Sequence, residues 1–150
     1  MTDFLGTLGL LCALINFFVG ISLLISLKKT TEIRNKSLHY TIILFSFIGG
    51  LWCFFRGIQL LLPIEFSLLL ERINLTIALF LLSTAIIFAY YLLGETLKWK
   101  TIIYIYIPVF IFGTIGFTNF GIKEVISVFP LKRITGIGYK FCSAWITFSL

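Results

Sequence analysis

Six residues carry most of the chain's potential for chemistry: Trp52, Arg56, Gln59, Glu71, Arg72 and Asn74. Trp52, Arg56 and Gln59 recur at i, i+4 and i+7, which is one face of an α-helix. Pro63 ends that helix seven residues after Arg56, which places the guanidinium about 10 Å from the helix end at 1.5 Å per residue. The surrounding residues are apolar, and a lone arginine near mid-bilayer costs about 2.5–3.5 kcal/mol on insertion scales. A turn near Ile64 and Glu65 folds the chain back. Arg56 then comes level with Ile73, within a turn of Glu71 and Asn74. The spacing predicts a polar cluster of Arg56, Gln59, Glu71 and Asn74, with Arg56 paired to Glu71. Such a cluster suits either an internal lock across a helical hairpin or part of a ligand-sensing pocket. Snorkelling of Arg56 to lipid headgroups is the third arrangement the sequence leaves open.

Catalytic constellations are missing from the rest of the chain. It has no Gly-x-x-x-x-Gly-Lys phosphate loop, no His-Glu-x-x-His and no Gly-x-Ser-x-Gly. With six acids and one histidine, paired acid–base chemistry is hard to assemble. No enzymatic activity, metal site or cofactor is therefore expected. His39 has no second ligand at metal spacing and reads as an interfacial residue. Cys12, Cys53 and Cys142 lie in three separate apolar segments without a CxxC pair, the pattern of helix-packing residues. Gly9, Ala13, Asn16 and Gly20 follow at helical spacing, a seam along which two helices approach closely and Asn16 can bond across.

The elements that hold these residues are membrane spans. The chain has 150 residues, of which 59% are hydrophobic and 12% charged. Apolar stretches run over 4–27, 40–62, 73–93 and 101–118, and a fifth opens at Tyr139 and runs to the last residue, 150. Crossing a hydrocarbon core of roughly 30 Å takes about 20 apolar residues. The fold class is all-α, a polytopic transmembrane bundle of four full spans and the start of a fifth. The net charge of +6 then reflects topology rather than nucleic-acid binding.

Basic residues favour the cytoplasmic side. The first connection holds Lys28, Lys29, Arg34 and Lys36 against Glu32, while the N-terminal tail holds only Asp3. This predicts an outside N-terminus in the plasma (inner) membrane. The connection at Lys98, Trp99 and Lys100 fits the inside. The long connection over 119–138 falls outside, although Lys123, Lys132 and Arg133 outnumber Glu124 there. Gly121, Pro130, Gly136 and Gly138 punctuate it, and β-prone residues fill 125–129, so a short outer hairpin is expected. Pro108, Gly113 and Gly116 mark a kink or close contact in the fourth span.

The order of features resembles the N-terminal seven-helix sensor region of bacterial histidine kinases and some diguanylate cyclases. The shared marks are Leu51-Trp52 in span two, Leu70-Glu71-Arg72-Ile73 opening span three, and Ala89-Tyr90-Tyr91-Leu92 closing it. Ile107-Pro108 in span four, Thr118-Asn119, then Gly136-Ile137-Gly138-Tyr139 and Trp145 complete the set. Arg56 departs from the family pattern, as does the lack of an acid near Gln59. The resemblance implies a membrane-embedded signal-input module of a two-component sensor. Two further spans and a cytoplasmic output domain would follow it. It also implies a small or lipid-borne ligand from the outer side, and a homodimer is compatible with it. Read from the residues alone, a small transporter or channel subunit, or an assembly factor of a membrane complex, also stays open.

Overall fold

The computed structural model describes residues 2–29, 36–128 and 131–140. Four long helices account for most of them: α1 (Thr2–Lys29), α2 (Lys36–Leu61), α3 (Ser67–Leu92) and α4 (Trp99–Gly116). All four are long and apolar enough to cross a bilayer. Large apolar side chains such as Phe4, Leu14, Phe18 and Phe110 stay more than 60% exposed, as they must where lipid is the solvent. The protein is a multi-pass helical membrane protein. Most of the basic first connection, 30–35, and residues 141–150 of the expected fifth span lie outside the described residues.

Local chemistry sets the helix ends. α2 stops at Leu61 because Leu62 precedes Pro63 and is pushed out of the helical region. A single 3-10 turn, Ile64–Phe66, leads directly into α3. α3 closes with Gly94 at φ +80°. The Gly94 N–H donates to the Tyr91 carbonyl at 3.2 Å and the Glu95 N–H to that of Tyr90 at 3.1 Å. This is a Schellman stop, which favours glycine at the left-handed position. Pro108 lies inside α4, which remains one helix across it.

One boundary differs from the sequence reading. α3 begins at Ser67, six residues before Ile73, so Glu71 and Arg72, read as opening the span, sit a full turn inside the helix. Charged residues were read as the helix edge. Both instead find partners at depth, which removes the cost of carrying them inside.

α1 lies antiparallel against α2. Their backbones meet where a Cβ on Gly9 would stand 3.0 Å from the Gly57 Cα, and one on Gly57 would stand 2.9 Å from the Gly6 carbonyl oxygen. Ala13 is buried along the same seam. Asn16 does not reach across with its amide N–H; it donates to the Cys12 carbonyl in its own helix at 2.9 Å. An intrahelical acceptor four residues back is always within reach.

The expected hairpin is present as β1 (Ile122–Val128) and β2 (Leu131–Thr135), with its turn residues 129–130 outside the described set. The strands pair antiparallel with irregularities at Lys123 and Ile126. These bulges twist the ribbon and turn both Ile122 and Val125 inward, onto Leu75 of α3. The hairpin thus caps the end of the bundle where α2 turns into α3. That end is called the hairpin end below. The opposite end, with Lys36, Lys98 and Lys100, is the basic end.

Candidate functional site

Glu71 is the centre of the polar cluster. It lies on the first turns of α3 and is 3% exposed. Its Oε2 accepts from Arg56 Nη1 of α2 at 3.1 Å and from Gln59 Nε2 at 3.1 Å. Gln59 is wholly buried and uses every polar position it has. Its Oε1 accepts from Arg56 Nη1 at 2.6 Å and from Asn74 Nδ2 at 3.0 Å, and its Nε2 also reaches the Ser67 carbonyl at 3.3 Å. Arg56, Gln59, Glu71 and Asn74 therefore form the expected cluster, with Arg56 paired to Glu71. The pairing follows from geometry: the turn at 63–66 sets α2 and α3 side by side, and the four residues fall at one depth.

The structure adds partners from the hairpin. Arg133 Nη1 of β2 donates to Glu71 Oε1, and its Nη2 donates to the Tyr139 hydroxyl. The guanidinium carbon also stands 4.5 Å from the Tyr139 ring centroid, a cation–π contact. Val125 pairs with Arg133 across the ribbon, so the two side chains share a face. Burying Val125 therefore aims Arg133 at Glu71. This accounts for the excess of basic residues in a connection expected on the outside, because Arg133 is consumed internally by a carboxylate of α3.

Arg72 follows Glu71 by one residue and points about 100° away around α3. It serves a different contact. Nη2 donates to the Asn119 Oδ1 at 2.7 Å and to the Ile122 carbonyl at 2.8 Å. Arg72 thus holds the base of the hairpin rather than joining the cluster. Trp52 is likewise not drawn in. It is 39% exposed and makes no hydrogen bond or ring contact among the described residues. Residues at i and i+7 share a face only broadly, and the cluster lies nearer the hairpin end than Trp52.

Two guanidinium groups, on Arg56 and Arg133, meet at Glu71, and the cluster carries excess positive charge. Two buried atoms, Ser67 Oγ and Asn74 Oδ1, have no hydrogen-bond partner among the described residues, which is costly for polar groups out of water. A water or a ligand's polar group gains most at such atoms. Among the described residues, no group of three His, Cys, Asp or Glu gathers to hold a metal. A second polar spot lies deeper, where Thr84 Oγ1 and the Tyr106 hydroxyl are 2.9 Å apart between α3 and α4. The sequence reading did not single out this pair.

No protein-family model matches the chain, and no curated protein or solved structure matches it.

Proposed function

We propose that this chain is a membrane-embedded signal-input module of a sensor protein, of the kind that feeds a two-component histidine kinase or a diguanylate cyclase. The observation that carries the reading is the double engagement of Glu71. One oxygen takes Arg56 of α2, and the other takes Arg133 of the cap. A cue that competes for either guanidinium changes how the cap sits on α3 and how α3 sits on α2. The excess positive charge favours an anionic cue arriving at the hairpin end. A two-state rearrangement needs a ligand that binds the two states differently, and the unpartnered Ser67 Oγ and Asn74 Oδ1 offer such differential contacts. In this reading Arg56, Gln59, Glu71, Asn74 and Arg133 form the sensing cluster, and Arg72 anchors the cap. Any catalysis belongs to a separate output domain.

Transmission is testable at the far end of the bundle. Spin labels on Tyr40→Cys of α2 and Trp99→Cys of α4 report spacing at the basic end. Releasing the cap with Arg133→Gln is expected to shift their separation in lipid nanodiscs by on the order of 2 Å, the scale of helix shifts in signalling. Loss of stability with no change in that distance makes the cluster a lock and defeats the sensor reading. Ion flux through reconstituted vesicles would defeat it in favour of a channel.

The reading also requires the cap to face outward, with the N-terminus on the same side. In a chain freed of its three cysteines, Ile126→Cys is expected to react with impermeant maleimide on intact cells. Thr31→Cys is expected to stay protected until the membrane is opened. The opposite pattern inverts the topology.

A further inference from the structure

An apolar groove of about 680 Å³ runs between α2, α3 and α4 in the half of the bundle nearer the basic end. Its walls include Leu44, Ile48, Phe80, Ile87, Ile103 and Phe110. Its one deep polar feature is already satisfied. Thr84 Oγ1 donates its single proton to the Phe80 carbonyl at 2.8 Å, so the Tyr106 hydroxyl must be the donor in the 2.9 Å contact between the two. Both hydroxyls of that pair are thereby engaged, and hydrocarbon is the chemistry that suits the depth of the groove.

The mouth is different. Tyr40 and Trp99 line it and are 56% and 73% exposed. Such amphipathic rings sit at the headgroup level. Lys36 adjoins the lining residue Ser37, and Lys98 and Lys100 flank Trp99; all three lysines are exposed. From Ser37 to Ile48 the groove follows roughly 16 Å of α2 at 1.5 Å per residue. That matches one leaflet's share of the hydrocarbon, about 15 Å. An apolar channel one leaflet deep, ending at aromatic rings and three lysines, has the form of an anionic amphiphile.

We propose that the groove binds an acyl chain of an anionic phospholipid from the leaflet at the basic end. The lipid phosphate lies on Lys36, Lys98 and Lys100. The proposal stands independently of the sensor reading, since it concerns the opposite end of the bundle and none of the cluster residues.

Trp99 supplies the readout. In the 150-residue chain carrying Trp52→Phe and Trp145→Phe, it is the sole tryptophan. The probe is phosphatidylcholine bilayers in which either phosphatidylglycerol or phosphatidylcholine carries brominated acyl chains. Brominated phosphatidylglycerol is expected to quench Trp99 with an apparent affinity about fivefold or more above brominated phosphatidylcholine, since each lysine near the surface attracts anionic lipid. Replacing the three exposed lysines by glutamine should bring the ratio to one, with helical content by circular dichroism unchanged. Filling the groove with Ile48→Phe should weaken quenching by brominated phosphatidylglycerol. Inorganic phosphate in the buffer should leave quenching unchanged; competition by it would mean the lysines hold free anion and no lipid. Equal quenching by the two lipids, or a preference that survives loss of the lysines, overturns the proposal. So does a crosslink from Leu44→Cys to a second copy or to residues 141–150, because the groove is then filled by protein.

Discussion

Glu71→Leu is expected to be the most damaging single change in the polar cluster, costing about 3–5 kcal/mol or more, the range for removing one member of a buried ion pair. It leaves two guanidinium groups, Arg56 and Arg133, without their carboxylate. Arg56→Ala should fall in the same range, because Glu71 keeps Arg133 but loses one side of its shell. From the sequence alone, the Arg56→Leu, Glu71→Leu double change would relieve the damage. The structure alters that expectation, since the double change still strands Arg133. Only the triple change, with Arg133→Leu added, removes every charge of the network and should recover most of the lost stability. Thermal unfolding in detergent reads all four variants. Simple additivity across the set would mean that the three residues do not interact.

The second large effect is expected at the crossing of α1 and α2. Gly57→Leu places a side chain where a Cβ already meets the Gly6 carbonyl oxygen at 2.9 Å and the Leu10 amide nitrogen at 3.0 Å. Backbone cannot step aside as a flexible side chain can, so α1 must move away. Overpacking costs about 1–3 kcal/mol in a well-packed core, and here the loss extends to the close helix contact itself. Gly49→Ala is the control. Its Cβ would find its nearest neighbour at 3.7 Å, an ordinary contact. The melting temperature should fall sharply for Gly57→Leu and hardly change for Gly49→Ala. Equal shifts would show that α1 is held by something other than the glycine contact.

The spans were legible because lipid demands long apolar runs, and charge interrupts those runs plainly. The hairpin was legible from Gly121, Gly136 and Gly138 around β-prone residues. The Arg56–Glu71 pair was legible because a proline fixed the turn, and helical rise then fixed the depth on both sides. Arg133 was not. Its position depends on two bulges that bring it opposite Val125, and a shift of one residue would have turned it to the other face. Nothing in the composition of the loop signals that register. Its surplus of basic charge was the one clue, and it was read as a topological imperfection. Trp52, which helical spacing sets on the face of Arg56 and Gln59, lies outside the cluster because a shared face does not by itself make a contact. The Thr84–Tyr106 pair was missed because neither residue is charged, and each is ordinary within its own helix.

The charges that meet at Glu71 are also separated in time. Arg56 and Glu71 lie 15 residues apart, and Arg133 follows Glu71 by 62. At about 5–20 residues per second, the rate of protein synthesis, roughly 3–12 s pass between the emergence of Glu71 and that of Arg133. During that interval the hairpin of α2 and α3 holds Arg56 and Arg72 against Glu65 and Glu71 between residues 56 and 92, a balanced set that can enter the bilayer together. Arg133 arrives only after the first four spans have been made, on a segment that stays at the surface. The order of residues along the chain thus spares the membrane-insertion machinery an unbalanced charge, and the positive excess of the finished site is added last, from the water side.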